Sequence, residues 1–151
     1  MRAHHRNLVS FIGYYDEGLT WKQRLHIPVD AARRLEYLHD GCKPPILHRD
    51  LKLSNILLNE TLQAKIAECG ISKALETKQL LSDAYNFGIV LLELITGRPA
   101  IIRDVEPVHF ERMEIESIVD SIVHGTYKYS SVQTAIETAL ACVSKTPTER
   151  P

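Results

Sequence analysis

The polar residues of the segment HRDLKLSN, residues 48–55, have types and spacing that could support a group-transfer reaction. Asp50 supplies a carboxylate that can accept a proton from a hydroxyl nucleophile, and Asn55 supplies an amide oxygen for a magnesium ion. Lys52 supplies a positive charge that can neutralise charge developing on the transferred group. The alternative is a polar turn between two short strands with a solvated Asp50–Lys52 pair. So many polar residues at fixed positions in one short segment favour the catalytic interpretation.

Size and composition indicate one soluble globular domain. The chain has 151 residues, of which 44% are hydrophobic and 25% charged, and its formal net charge is -1. Because positive and negative charges are well mixed, nucleic acid is not expected as a partner. The three cysteines are widely spaced, which favours reduced thiols in a cytosolic setting. The longest apolar run, residues 89–95, is too short to span a membrane.

The longest predicted element is a helix that begins after Thr20. Thr20 and Gln23 form a capping-box pattern, and apolar residues then recur at helical spacing as far as about His39. Gly41 is suited to the C-terminal cap of this helix. Pro28 lies inside the pattern, where it removes a backbone donor and is expected to kink the helix or cost about 3 kcal/mol.

The remaining predicted elements are short strands and further helices. Ser82 is expected to cap an apolar helix that ends at Gly97, and two more helices are expected over residues 114–123 and 131–143. The β-branched and aromatic residues predict strands at 8–15, 46–48, 56–58 and 64–67. This order of elements fits an α-rich domain with a small β element, of the α+β class.

The segment HRDLKLSN matches the H-R-D-L-x-x-x-N catalytic loop of protein kinases. The whole chain resembles a plant receptor-like serine/threonine kinase domain of the leucine-rich-repeat receptor class. This resemblance implies a protein-kinase-like α+β fold, with residues 1–18 as a remnant of the N-lobe and residues 19–151 as a C-lobe-like region. It rests on four segments: HHRNLVSFIGYYDEG, LTWKQRLHIPVDAARRLEYLHDGCKPPILHRDLKLSNILL, SDAYNFGIVLLELITGRPA and ALACVSKTPTERP.

The resemblance also implies an activity, which is ATP-dependent phosphoryl transfer to a protein with Mg²⁺ as the metal cofactor. It implies that Asp50 is the catalytic base and that Lys52 contacts the phosphate. Asn55 and Glu68 are the implied metal ligands. Asp83, in the apolar helix, is implied to brace the backbone of the catalytic loop.

The chain departs from the kinase pattern at the metal-binding D-F-G triplet, which reads Glu68-Cys69-Gly70. The glutamate is one methylene longer than aspartate, and Mg²⁺ tolerates little error in ligand position. We also expect the chain to lack the Gly-rich loop, the V-A-I-K lysine, the hinge after Gly18 and the activation segment with A-P-E after Gln79. These departures predict strongly reduced turnover, because phosphoryl transfer depends on the positioning of both nucleotide and acceptor.

Three hypotheses about function therefore stay open. The first is a serine/threonine kinase that acts on a protein substrate. The second is a non-catalytic, pseudokinase-like module that binds a partner kinase or a substrate. The third is a decayed gene product without a stable fold. A cytoplasmic location is expected, because the receptors that the chain resembles carry their kinase domains on the cytosolic side of the plasma membrane.

Overall fold

A computed structural model of the chain describes residues 9–10, 18–67, 77–99 and 115–144, and the side chains of all of these except 9–10 and 77–81. Within this part the chain forms three short strands, four α-helices, a π-helical turn and two 3₁₀ turns. The strands are β1 (Val9–Ser10), β2 (Ile56–Leu58) and β3 (Ala64–Ile66). The helices are α1 (Trp21–Glu36), α2 (Thr77–Thr96), α3 (Ile115–Ile118) and α4 (Tyr129–Cys142). The π-helical turn is Tyr37–Gly41, and the 3₁₀ turns are Leu53–Asn55 and Ser121–Val123.

The strands form one antiparallel sheet in the order β1-β2-β3. Leu58 of β2 lies opposite both Val9 of β1 and Ala64 of β3. The strands predicted at 56–58 and 64–67 are thereby confirmed to within one residue. Of the strand predicted at 8–15, β1 accounts for the two residues that the structure describes.

The strand predicted at 46–48 is wrong, because the amides of this segment bond outside any sheet. The Ile46 amide donates to the Leu38 carbonyl at 2.8 Å, and the His48 amide donates to the Asp83 carboxylate at 2.8 Å. The segment 46–48 therefore connects the π-helical turn after α1 to Asp83 of α2. Its apolar residues reflect burial and not pairing in a sheet.

Helix α1 begins as the sequence predicts. The Thr20 amide donates to Gln23 Oε1 at 2.9 Å, and the Gln23 amide donates back to Thr20 Oγ1 at 3.3 Å. The helix then runs without interruption through Pro28, which is buried. Burial of the proline ring offsets part of the expected cost of about 3 kcal/mol for the lost backbone bond.

The end of α1 differs from the prediction. The helix widens into the π-helical turn, and the cap residue is Cys42, with extended backbone, rather than Gly41. Gly41 does not adopt the left-handed conformation, and a Cβ at this position would lie 2.8 Å from the ring of Tyr37, which is exposed.

Helix α2 begins before Ser82, so the predicted cap at that residue is wrong. The residues from Thr77 onward include Lys, Gln and Leu, which are good helix formers, and no breaker separates them from the apolar part of the helix. The predicted end is confirmed. Gly97 has φ 65°, and its amide closes the last turn on the Glu93 carbonyl at 2.9 Å.

The helix predicted at 114–123 divides into α3 and the second 3₁₀ turn. Asp120 interrupts it, because its backbone leaves the helical region and its side chain accepts a hydrogen bond from the Ile122 amide at 3.1 Å. The helix predicted at 131–143 is confirmed as α4, which begins two residues earlier at Tyr129.

Helix α2 lies between two hydrophobic clusters. One joins it to α4 and Trp21, and the other joins it to α1 and the sheet. The catalytic-loop segment is anchored on the second cluster through Leu51, Leu53 and Ile56. Among the described residues, no helix has both the length and the apolar character needed to cross a membrane.

Candidate active site

The catalytic loop, residues 48–55, is held by a buried carboxylate from α2. The side chain of Asp83 accepts the His48 amide at Oδ2 and the Arg49 amide at Oδ1, each at 2.8 Å. Arg49 has φ 66°, a left-handed backbone that costs a non-glycine residue about 1–2 kcal/mol. Two hydrogen bonds to a fixed carboxylate stabilise this conformation directly before Asp50. The expected bracing role of Asp83 is confirmed by these contacts.

The imidazole of His48 fixes the next segment of the site. It is completely buried, and its Nε2 lies 2.9 Å from the carbonyl oxygen of Ala67. Because a carbonyl can only accept, Nε2 carries the hydrogen. The Ala67 amide in turn donates to the Asn55 carbonyl at 2.7 Å. Ala67 is thus held from both sides, directly before the Glu68 position.

Two of the candidate catalytic-loop residues, Lys52 and Asn55, converge on the carboxylate of the third, Asp50. Lys52 Nζ lies 2.8 Å from Asp50 Oδ2, and Asn55 Nδ2 lies 3.1 Å from the same oxygen. Asn55 Nδ2 also donates to the Asp50 carbonyl at 2.7 Å. Asn55 is buried, whereas the side chains of Asp50 and Lys52 are 58% and 53% exposed. The site therefore has a fixed amide at its base and an accessible carboxylate and ammonium above it.

The surroundings of Asp50 keep it ionised. The hydrogen bond from Lys52 holds the pKa of the Asp50 carboxyl below its ordinary value, and the Asn55 amide and the Lys52 charge act in the same direction. At neutral pH this carboxylate is therefore an acceptor that can orient a hydroxyl group. A lowered pKa makes it a weak base, so it suits a reaction in which the proton moves late.

The donor set also fits a magnesium ion. Both hydrogen bonds of the Asn55 side chain use Nδ2, so its carbonyl oxygen Oδ1 is directed elsewhere and can serve as a ligand. Mg²⁺ in phosphate-transfer sites takes oxygen ligands from one or two side chains and completes its shell with water and phosphate. Within the described residues no cluster of three acidic, histidine or cysteine side chains offers an alternative metal site.

The predicted site residues divide into two groups. The structure brings Asp50, Lys52 and Asn55 together, whereas Glu68 lies outside the described residues. Sequence reasoning missed one residue of this region, His39, whose Nε2 lies 2.9 Å from Asp83 Oδ2. The available signal was a histidine at the end of the amphipathic helix, one short loop before the catalytic motif.

Comparisons with known proteins agree with this geometry. The family model described as protein tyrosine and serine/threonine kinase matches residues 2–82. A probable leucine-rich repeat receptor-like protein kinase of Arabidopsis thaliana is 37% identical and aligns with the whole chain. A receptor-like protein kinase of the same plant is 35% identical, again over the whole chain. The solved pseudokinase domain of BIR2, an immune regulator of the RLK/Pelle family, is similar with a TM-score of 0.80 at 31% identity.

These alignments also show how much of each relative is matched. The alignments with the two plant kinases extend over 212 residues and cover 24% of each relative, although this chain has 151 residues. The relatives therefore contain segments without a counterpart here. The BIR2 alignment covers 96% of this chain and 53% of that domain. From the matched family model, the whole-chain relatives and the shared fold, we conclude that this chain belongs to the protein tyrosine and serine/threonine kinase family.

Proposed function

We propose that this chain carries the catalytic-loop half of a serine/threonine protein kinase site and that its turnover is strongly reduced. The observation that carries the proposal is the convergence of Lys52 and Asn55 on the Asp50 carboxylate, within a loop held by the buried Asp83. This arrangement supplies a hydroxyl acceptor, a cation and an amide oxygen within one segment.

Each of these residues has a distinct role in the proposed reaction. Asp50 accepts a hydrogen bond from the serine or threonine hydroxyl of a protein substrate and takes its proton as the new bond forms. Lys52, whose ammonium lies 2.8 Å from that carboxylate, neutralises charge on the phosphoryl group. Asn55 would hold Mg²⁺ through Oδ1. Bound ATP with Mg²⁺ supplies the phosphoryl group and shields its negative charge.

The reduced turnover follows from the altered metal-binding triplet and from the segments that are expected to hold the nucleotide and the substrate. The second metal ligand is Glu68, which is longer than the aspartate of D-F-G, and Cys69 replaces the aromatic residue. The plant kinases also contain segments that this chain lacks. We expect these to include the hinge that binds adenine and the activation segment that supports the substrate. Because each segment positions one reactant, their joint absence should lower the rate by several orders of magnitude.

Transfer of radiolabelled γ-phosphate from ATP to a generic protein substrate tests this proposal. We expect slow, Mg²⁺-dependent labelling that Asp50→Asn abolishes, with an unchanged melting temperature in the variant. Lys65→Ala, which removes an exposed lysine of β3, is the matched control and should label normally. Labelling that persists in Asp50→Asn would contradict the proposed role of this residue.

A second candidate function is a non-catalytic module that binds a partner kinase or a substrate protein. It is favoured by the likeness to a pseudokinase domain together with the altered Glu68-Cys69-Gly70 triplet. A cooperative thermal melt without any response to ATP and Mg²⁺, with stoichiometric binding to a purified receptor-kinase domain, would support it. For both candidates we propose a cytoplasmic location, which a fluorescent fusion can test.

A further inference from the structure

The turn between β2 and β3 is organised by one side chain, the carboxamide of Asn59. Its Oδ1 accepts the Thr61 amide at 3.0 Å, the Thr61 hydroxyl at 2.9 Å and the Gln63 amide at 2.8 Å. Because two backbone amides point at this atom, it is the oxygen of the carboxamide and not the nitrogen. The nitrogen, Nδ2, donates to Gln63 Oε1 at 2.9 Å. The side chain of Asn59 therefore bridges the two ends of the turn.

The backbone of this turn needs the support. Leu62 has φ 61°, a left-handed conformation that is unfavourable for a residue with a side chain, and glycine is the usual residue at this position of a three-residue hairpin loop. The Leu62 amide closes the turn on the Asn59 carbonyl at 2.9 Å. The bonds accepted by Asn59 Oδ1 hold the residues on both sides of Leu62, so they offset the cost of its conformation.

The open end of this hairpin, where Asn55 and Ala67 face each other, belongs to the candidate active site. Asn55 directly precedes β2 and Ala67 directly follows β3, and the Ala67 amide donates to the Asn55 carbonyl at 2.7 Å. Three residue pairs of β2 and β3 connect the turn to this bond in one register. A slip of one residue would place a different residue opposite Asn55. The register therefore decides where the chain leaves the sheet after Ala67.

Burial holds β2 more firmly than β3. Both outer residues of β2 are buried, whereas in β3 the small Ala64 is buried, Lys65 is exposed and Ile66 is half-buried. Because so little apolar surface of β3 is removed from water, hydrophobic packing specifies its register weakly. Polar contacts supply the rest. The Asp30 carboxylate of α1 accepts the Ala64 amide at 3.0 Å, and Asn59 fixes the turn that leads into the strand.

We propose that Asn59 is a positioning residue of the candidate metal site. Its Oδ1 fixes the turn, the turn fixes the register of β3 against β2, and that register fixes the Asn55–Ala67 contact directly before the Glu68 position. Asn55 and Glu68 are the side-chain metal ligands of the proposed reaction. The consequence for metal affinity therefore rests on the function proposed above, whereas the consequence for the Ala67 amide does not.

Three variants separate the acceptor of the Asn59 side chain from its donor. Asn59→Ala removes both. Asn59→Asp keeps an oxygen acceptor at the place of Oδ1 and removes the Nδ2 donor. Gln63→Ala, at an exposed residue, is the matched control, because it removes only the partner of Nδ2 and leaves the Gln63 backbone amide in place. Only Asn59→Ala should disturb the open end of the hairpin.

The first measurement is amide hydrogen exchange by NMR on the whole chain and its variants. In Asn59→Ala we expect the Ala67 amide to exchange about tenfold faster, the effect of losing about one net hydrogen bond from the hairpin. Central amides of α4 should change by less than about twofold. Asn59→Asp and Gln63→Ala should match the unsubstituted chain at both places.

The second measurement is an NMR titration with Mn²⁺, which prefers the same oxygen ligands as Mg²⁺ and broadens the signals of nearby groups. Half-maximal broadening of the Asn55 side-chain amide should need about tenfold more Mn²⁺ in Asn59→Ala, the lower end of the effect of groups that orient metal ligands. Asn59→Asp and Gln63→Ala should need the same concentration as the unsubstituted chain. A turn that only stabilised the fold would leave this concentration unchanged in all variants.

Unchanged exchange at Ala67 in Asn59→Ala would overturn the proposal. Faster exchange confined to the amides of Thr61 and Gln63, equal acceleration throughout the chain, or equal behaviour of Asn59→Ala and Asn59→Asp would overturn it as well. So would an Mn²⁺ affinity that Asn59→Ala does not change. If the Ala67 amide responds as expected but the unsubstituted chain binds no Mn²⁺, Asn59 still positions the hairpin and the metal site of the proposed kinase reaction fails.

Discussion

The carboxylates of Asp83, which is buried, and Asp120, which is half-buried, are held in different ways and stabilise different parts of the molecule. Asp83 accepts two backbone amides and one imidazole, and its partners belong to the catalytic loop and the turn before it. Asp120 forms an ion pair with Arg24 Nη2 at 2.7 Å, and Arg24 also donates to the Leu94 carbonyl at 3.1 Å. The first carboxylate positions a functional segment, and the second connects α1, the end of α2 and the segment after α3.

This difference shows that the backbone of the catalytic loop is held by groups other than its candidate catalytic side chains. The contacts of Asp83 join α2 to the π-helical turn and to the amides of His48 and Arg49, and in the described part of the chain they do not involve the side chain of Asp50. Asp50 itself contributes little to packing, because its side chain is 58% exposed. The backbone geometry of the loop is thus set by the surrounding scaffold and not by the exposed side chain of Asp50.

The largest expected effect on stability follows removal of the Asp83 carboxylate, which accepts hydrogen bonds from the catalytic loop. Asp83→Ala leaves three donors without an acceptor, and we expect it to lower the free energy of unfolding by about 4 kcal/mol. Urea denaturation followed by circular dichroism measures this. Glu36→Ala, at an exposed acid of α1, is the control and should be nearly neutral. An unchanged urea midpoint in Asp83→Ala would show that the hydrogen bonds of the Asp83 carboxylate contribute no stability.

The second effect concerns the ion pair of the scaffold. Arg24→Met leaves the Asp120 carboxylate largely buried without its cation, and we expect a loss of about 3 kcal/mol in the free energy of unfolding. The double variant Arg24→Met with Asp120→Leu should lose less than Arg24→Met alone, because no unpaired charge is left behind. Strictly additive losses in this double-mutant cycle would exclude a direct coupling of the two side chains.

The third effect is the pH dependence of stability caused by Asp120. Burial acts to raise the pKa of this carboxyl, but the Ile122 amide and the Arg24 guanidinium outweigh it, so the pKa lies below its ordinary value. An unfolded aspartate has a pKa of about 3.9, so the unfolded state binds the proton first as pH falls. The contribution of Asp120 is therefore complete above about pH 4 and declines below it.

Thermal melts of the unsubstituted chain and of Asp120→Asn, between pH 6 and pH 3, check this expectation. The difference in melting temperature between the two proteins should be largest near pH 6 and should narrow as the pH drops below about 4. A difference that stays constant over the whole range would show that ionisation of Asp120 does not stabilise the fold.

The smallest expected effect on stability lies at the exposed pair of the catalytic loop. Lys52→Ala removes the hydrogen bond that lowers the pKa of Asp50, so the Asp50 pKa should rise toward its ordinary value in an NMR titration. The unfolding midpoint should not change, because both side chains are largely exposed. Lys65→Ala, at an exposed lysine of β3, should leave the Asp50 titration unaltered.

The sequence predicted best the features that depend on neighbouring residues. The capping box of Thr20 and Gln23 needs only the local backbone, and the end of α2 at Gly97 needs only a residue that tolerates φ 65°. Both predictions are confirmed. The grouping of Asp50, Lys52 and Asn55 belongs to this class as well, because all three lie within one short segment.

Two of the predictions that failed depended on partners from other elements. Residues 46–48 have the composition of a strand, but their amides bond to Leu38 and Asp83. The division of the helix at 114–123 follows from Asp120, whose partner Arg24 lies far away in the sequence. Local patterns contain no information on such pairings, since they arise only when separate elements pack together.

The sequence by itself therefore determined the family of this protein and the residue types of its candidate site. The motif residues and the Glu68-Cys69-Gly70 triplet can be read directly, because side-chain types and their spacing are local properties. Tertiary structure alone decided that Asp83 holds the loop and that His39 joins it. Both depend on a buried carboxylate meeting donors from two other parts of the chain, and only packing brings these groups together.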